Sequence, residues 1–173
     1  MGVASVTDAA HVPSRIDEIA VRFWEDYLRL APTTATVYGD DRYDDRLEDP
    51  SPAGRAASRA LFERASAEAE AIPEEGLPVE DRITRDMLMI IAAIAVAEDD
   101  LSFHELREVD QINGPQTMLA QLAQFQPADT AERLERWLTR LRAYGPHMDA
   151  RIEILHEAVA SGRTPARIVT ERT

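Results

Sequence analysis

The 173-residue chain carries 19 basic and 32 acidic side chains, for a formal charge of −13; all the basic residues are Arg, and there is no cysteine. An apolar fraction of 45% beside 29% charged residues is that of one folded domain rather than a disordered segment. The missing thiols exclude a disulfide-stapled fold and thiolate metal sites, and the acidic balance argues against a nucleic-acid or anionic-membrane partner, which needs a basic face.

Residues 1–13 read as a flexible N-terminus without the basic stretch and apolar core of a signal peptide, so a cytoplasmic location is expected. Residues 14–173 read as a single helical domain. Ser14 with Asp17 forms a variant capping box, and Ile16, Ile19, Ala20, Phe23, Tyr27 and Leu30 recur at helical spacing up to Pro32. A polar connection then runs from Thr33 to Pro50. Ser51 and Pro52 open a second helix with the stripe Leu61, Ala65, Ala69 and Ile72. After the break at 73–78, a third helix runs from Val79 towards Arg107. Its stretch Met87 to Ala97 is apolar on every face, too short to span a bilayer, and expected to be central, with neighbours all round it. Asn113-Gly114-Pro115 opens a short fourth helix, Gln116 to Gln124, and Asp129 or Thr130 caps a fifth. Gly145-Pro146 is expected to separate it from a sixth, with Met148, Ile152, Leu155 and Val159 on one side and Gly162 as its stop. Thr164-Pro165 begins a seventh that reaches the last residue with no cap, which points to a longer parent chain. No alternating strand pattern is present, so the fold class is all-α, an array of about seven helices around the helix at 79–107.

Little in the pattern carries chemistry. His104-Glu105 opens like the zinc-peptidase motif H-E-x-x-H, but Glu108 stands where the second ligand belongs. Glu153 and His156 have the E-x-x-H spacing of helical di-iron sites without the second copy such a site requires, and His147 lies on the opposite side of the helix from His156. The acidic run Asp40, Asp41, Asp44, Asp45, Glu48, Asp49 lacks the ligand order of a calcium loop and reads as a solvated loop with local ion pairs to Arg42 and Arg46.

Three segments carry a resemblance: Phe23-Trp24-Glu25-Asp26-Tyr27-Leu28, Ala31 to Asp40 (APTTATVYGD), and Asp44-Asp45-Arg46-Leu47-Glu48-Asp49. Further matches lie at Gln111 to Gln116 and Ala158 to Val169. These segments resemble the start of the bacterial family called domain of unknown function 885, whose long helical members look like thermolysin-type and carboxypeptidase-type zinc metallopeptidases. The resemblance implies a non-catalytic N-terminal portion that helps to wall the substrate cleft of a missing catalytic half. Zinc would belong to that half, since no position here matches the family's metal-binding segment, and this chain would hold no cofactor. The implied partners are the missing half or a second copy meeting an exposed apolar surface. Asn113, Gly114 and Gln116, at a helix start with free N–H groups, are the candidate cleft-lining residues. The other reading is a self-contained helical interaction module without enzymatic activity. A metal site built from His104, Glu153 and His156 is a third.

Overall fold

The structure is a computed structural model that describes residues 13–110, 112 and 114–172. Most of the segment expected to be a flexible N-terminus lies outside the described residues, as does Asn113. Among the described residues there are eight α-helices, one 3-10 turn at Asp41–Tyr43 and no strand.

Helix α1 (Arg15–Leu30) starts at a capping box. The Asp17 N–H donates to Ser14 Oγ at 3.2 Å, and the Asp17 carboxylate accepts from the Ser14 N–H at 2.9 Å. This satisfies two of the donors that a helix start leaves open. Its face Ile16, Ile19 and Phe23 packs with Leu61, Ala65 and Ala69 of α3 (Pro52–Glu70) and Leu88 of α4 (Val79–Asp100). Each large side chain in this three-helix core contributes about 1.5–3 kcal/mol by leaving water. The expected stripes of α1 and α3 are therefore the ones that are buried.

The connection after α1 departs from expectation. Helix α1 ends just before Pro32 as expected, but the polar connection starts with a further helix, α2 (Pro32–Val37), whose first residue is Pro32, where its missing N–H costs nothing. The helix expected from 79 to 107 stops at Asp100. Three acids in its last turn, Glu98, Asp99 and Asp100, oppose the negative end of the helix dipole. Ser102 takes a left-handed conformation with φ 53°, and α5 (Phe103–Arg107) restarts beyond it. Arg163 donates to the Leu101 carbonyl at this junction and to Glu105 at 2.6 Å.

Helix α6 (Pro115–Phe125) matches its expected bounds closely. Helix α7 (Ala131–Ala160) is capped by Thr130 and runs straight through Gly145-Pro146, where two helices were expected. An internal proline costs a hydrogen bond and a steric clash, but α7 is held on both sides of it. Arg140 and Tyr144 bond outward before it, and His147 and Arg151 after it. Its buried positions are Arg140, His147, Ile154 and Ala158, whereas Ile152 and Val159, expected on the inner face, are exposed. The final helix α8 covers only Arg167–Thr170.

The apolar helix α4 is not central. Leu88 and Ala92 face the α1 and α3 core, and the opposite side is open.

Candidate functional site

An open cleft of about 620 Å³ lies where the end of α1, the 47–49 segment, the start of α3, the end of α4 and α5 converge. Its apolar walls come from Tyr27, Leu30, Phe62 and Phe103. The approach of the 47–49 segment to α3 requires glycine at position 54, because a Cβ there would collide with the Asp49 carbonyl.

Most charges in the cleft are satisfied within the protein. Arg59 bonds Asp99 at 2.8 Å and Asp100 at 2.6 Å, Arg107 holds both Glu98 oxygens at 2.9 and 2.6 Å, and Arg29 meets Asp26 at 2.8 Å. Glu48 accepts from the Thr33 N–H at 3.0 Å and from the Thr33 hydroxyl. Asp49 accepts from the Ser51 N–H at 3.0 Å, and hydrogen bonds from Ser51 hold its carboxyl below the usual range. Arg55 donates to the Pro50 carbonyl at 2.7 Å and has no carboxylate within ion-pair distance among the described residues. His104 lines the same cleft; burial, aided by the positive charge of Arg55, lowers its pKa, so it is neutral at pH 7. The cleft is thus an electrostatically balanced groove with one neutral imidazole.

The residues singled out in the sequence are dispersed. His104 faces the cleft, whereas His156 and Glu153 form an exposed pair at 3.6 Å on α7. His147 is buried elsewhere: its Nδ1–H donates to the Glu48 carbonyl at 3.0 Å, and its Nε2 accepts from Arg151 Nε at 2.8 Å. That fixes the neutral tautomer, and burial lowers its pKa, with the Arg151 charge acting in the same direction. Among the described residues no group of three or more His, Asp or Glu is placed to hold a metal ion. The described residues do not assemble a zinc ligand set.

Gly114 is the cap residue of α6, where a Cβ would collide with the Asp110 carbonyl and the Gln116 amide. The Gln116 amide turns back to donate to the Asp110 carbonyl at 2.6 Å, closing the turn. Both residues stand apart from those that line the 620 Å³ cleft. Asn113, their sequence neighbour, lies outside the described residues.

The acidic segment after α2 is only in part the expected solvated loop. Asp40 and Arg42 pair locally at 2.6 Å, but Asp44 is 2% exposed and faces Arg140 at 3.9 Å, itself fully buried. All five guanidinium N–H groups of Arg140 find acceptors. Nε reaches the Arg46 carbonyl at 2.7 Å; one terminal nitrogen reaches Thr36 Oγ1 at 3.0 Å and Gln126 Oε1 at 2.6 Å; the other reaches the Tyr43 carbonyl at 2.8 Å and the Pro32 carbonyl at 3.5 Å. Thr36 in turn donates to Asp44 at 2.6 Å, and the Gln126 amide donates to the Asp44 carbonyl at 2.8 Å. This node ties α2, the 40–49 segment and the end of α6 to α7. It was invisible in the sequence because Asp and Arg default to the surface.

The most unusual surface is the outer side of α4. Val79, Ile83, Met87, Ile90, Ile94 and Leu101 are each 53–60% exposed. With Ala97 they recur at steps of four, four, three, four, three and four, a continuous seam along the helix. Single exposed apolar residues are ordinary, but a contiguous row of this kind is not.

Residues 32–173 match the family described as "Bacterial protein of unknown function (DUF885)". That is most of the chain, and the chain belongs to this family. A search of curated proteins finds no match. Among the described residues no helix is long and apolar enough to cross a membrane.

Proposed function

We propose that this chain is a non-catalytic helical region that works by docking, with the outer face of α4 seated against another helical segment. In longer members of the family that segment is a zinc-metallopeptidase-like half, and these helices help to wall its substrate cleft; any zinc belongs to that half. The observation that carries the reading is the apolar seam on α4, six large side chains more than half exposed on a helix whose other face is packed into the core. The balanced charges of the cleft and the dispersal of the histidines agree with a supporting role. They favour it over a small metalloenzyme built on His104, Glu153 and His156.

An apolar dye tests the reading. The folded chain is expected to bind the dye, and Ile90→Gln with Ile94→Gln is expected to abolish binding while the far-ultraviolet circular dichroism is unchanged. A chain that melts cooperatively, stays monodisperse at high concentration and binds no dye would instead be the self-contained interaction module. The cleft-lining reading of Asn113, Gly114 and Gln116 has its own check in an active longer parent: unchanged substrate kinetics after Asn113→Ala with Gln116→Ala would retire it.

A further inference from the structure

The margins of the α4 seam say what kind of helix fits it. Helical geometry at 100° per residue places Glu80 and Glu98 along one side of the row and Arg82, Asp86 and Asp100 along the other. Four carboxylates therefore border the seam, and α4 itself sets only Arg82, within the same margin, and Arg85, beside Asp86, against them. Glu98 and Asp100 are partly compensated by Arg107 and Arg59, while Asp86 is met by its neighbour Arg85 at 3.0 Å. Glu80 has no ion pair with another described residue. The seam itself recurs at steps of three or four from Val79 to Leu101, with strict alternation from Ile83, and spans about 33 Å at the α-helical rise. Apolar rows at this spacing accept another helix at a shallow crossing angle, and the residues bordering the row select the partner by charge.

A second copy fails this selection. Two α4 helices side by side in parallel set one margin of each copy against the other margin of its partner, which brings Glu98 near Asp100. Antiparallel pairing sets each margin against itself, which brings Glu80 near Glu98 of the other copy. Either arrangement brings like charges together between two chains that each carry −13.

We propose that the α4 seam takes an amphipathic helix of about 20 residues with an apolar row and Lys or Arg along both margins, in preference to a second copy of this chain. The proposal rests on the docking reading above and adds the partner's charge. Such a helix would cover the exposed halves of the seam residues and compensate the carboxylates on both sides.

Two synthetic 22-residue helices test it, both with a Leu seam, one with Lys margins and one with Glu margins. The wild-type chain is expected to bind the Lys-margined helix at least tenfold more tightly at low salt, with the difference shrinking as salt rises. Ile90→Gln with Ile94→Gln should weaken that binding at least tenfold without changing the circular dichroism, which separates seam docking from diffuse attraction to an acidic protein. Glu80→Lys with Asp86→Lys should shift the preference towards the Glu-margined helix. Equal binding of both helices would overturn the charge assignment while leaving the docking reading intact. Binding of neither would overturn both. Sedimentation showing a dimer that dissolves in the Ile90→Gln, Ile94→Gln variant would assign the seam to a second copy and overturn the proposal.

Discussion

Replacing Arg140 with Met removes a fully buried guanidinium and leaves its partners behind. Asp44, at 2% exposure, keeps the Thr36 hydroxyl and the Gln126 amide but loses the positive charge 3.9 Å away. The Arg46 and Tyr43 carbonyls and Gln126 Oε1 lose their donor together. Breaking a buried pair by deleting one member costs about 3–5 kcal/mol, because the other charge stays desolvated. Total stability for a domain of this kind is about 5–15 kcal/mol, so this one change consumes a large share of it. Urea unfolding at pH 7, followed by circular dichroism, is expected to show a midpoint shift of that size. If Arg140→Met does not fold, Arg140→Lys keeps the charge and loses the planar fork, at an expected cost of about 2 kcal/mol. Asp44→Asn combined with Arg140→Met should cost less than the sum of the two, since the stranded carboxylate is gone. A loss below about 1 kcal/mol for Arg140→Met, with full additivity in the double variant, would refute the node as a source of stability.

Burial holds His147 and His104 neutral in the folded state, so their pKa values lie below that of the unfolded chain. Their contribution is complete above about pH 6.5 and is lost as the pH falls towards the folded-state values. Stability measured from pH 7 down to about 5 should therefore decline, and His147→Gln should flatten the decline; an unchanged slope would contradict the assignment. Pro146→Ala should stabilise the protein by about 1 kcal/mol or more, because Pro146 lies inside a continuous helix where Ala costs nothing; a loss of stability in thermal melts would show that the helix needs its proline. Leu88→Asp puts an unpaired charge in the core and should abolish cooperative unfolding, whereas Ile91→Asp, at a half-buried position, should retain a weakened transition. Equal effects would show that Ile91 is buried as deeply as Leu88.

What could be read from the sequence was what depends on neighbours along the chain. The Ser14 capping box, the Leu61, Ala65 and Ala69 stripe, the Pro115 helix start and the Thr130 cap are local patterns, and each is present. Local rules misled where distant contacts outweighed them. Pro146 reads as a break, yet α7 is anchored on both sides of it; the residues from Thr33 read as a polar connection, yet the first of them belong to α2. Ile152 and Val159 read as core, but the buried seam of α7 carries Arg140 and His147, polar residues whose partners lie in the 32–48 segment. The 620 Å³ cleft joins five separate segments, so no single stretch reveals it. The α4 run was legible as apolar on all sides, but a sequence does not say how many of those sides this chain covers.

Methionine oxidation tests the central claim most directly. Met87 lies in the exposed seam of α4, and Met89, two residues on, packs against the core. Peroxide treatment read by mass spectrometry is expected to oxidise Met87 well before Met89, and the Lys-margined helix is expected to protect Met87 while leaving the rate at Met89 unchanged. Equal rates at the two positions, or an unprotected Met87 in the presence of a bound helix, would contradict the account of α4 as an open docking face.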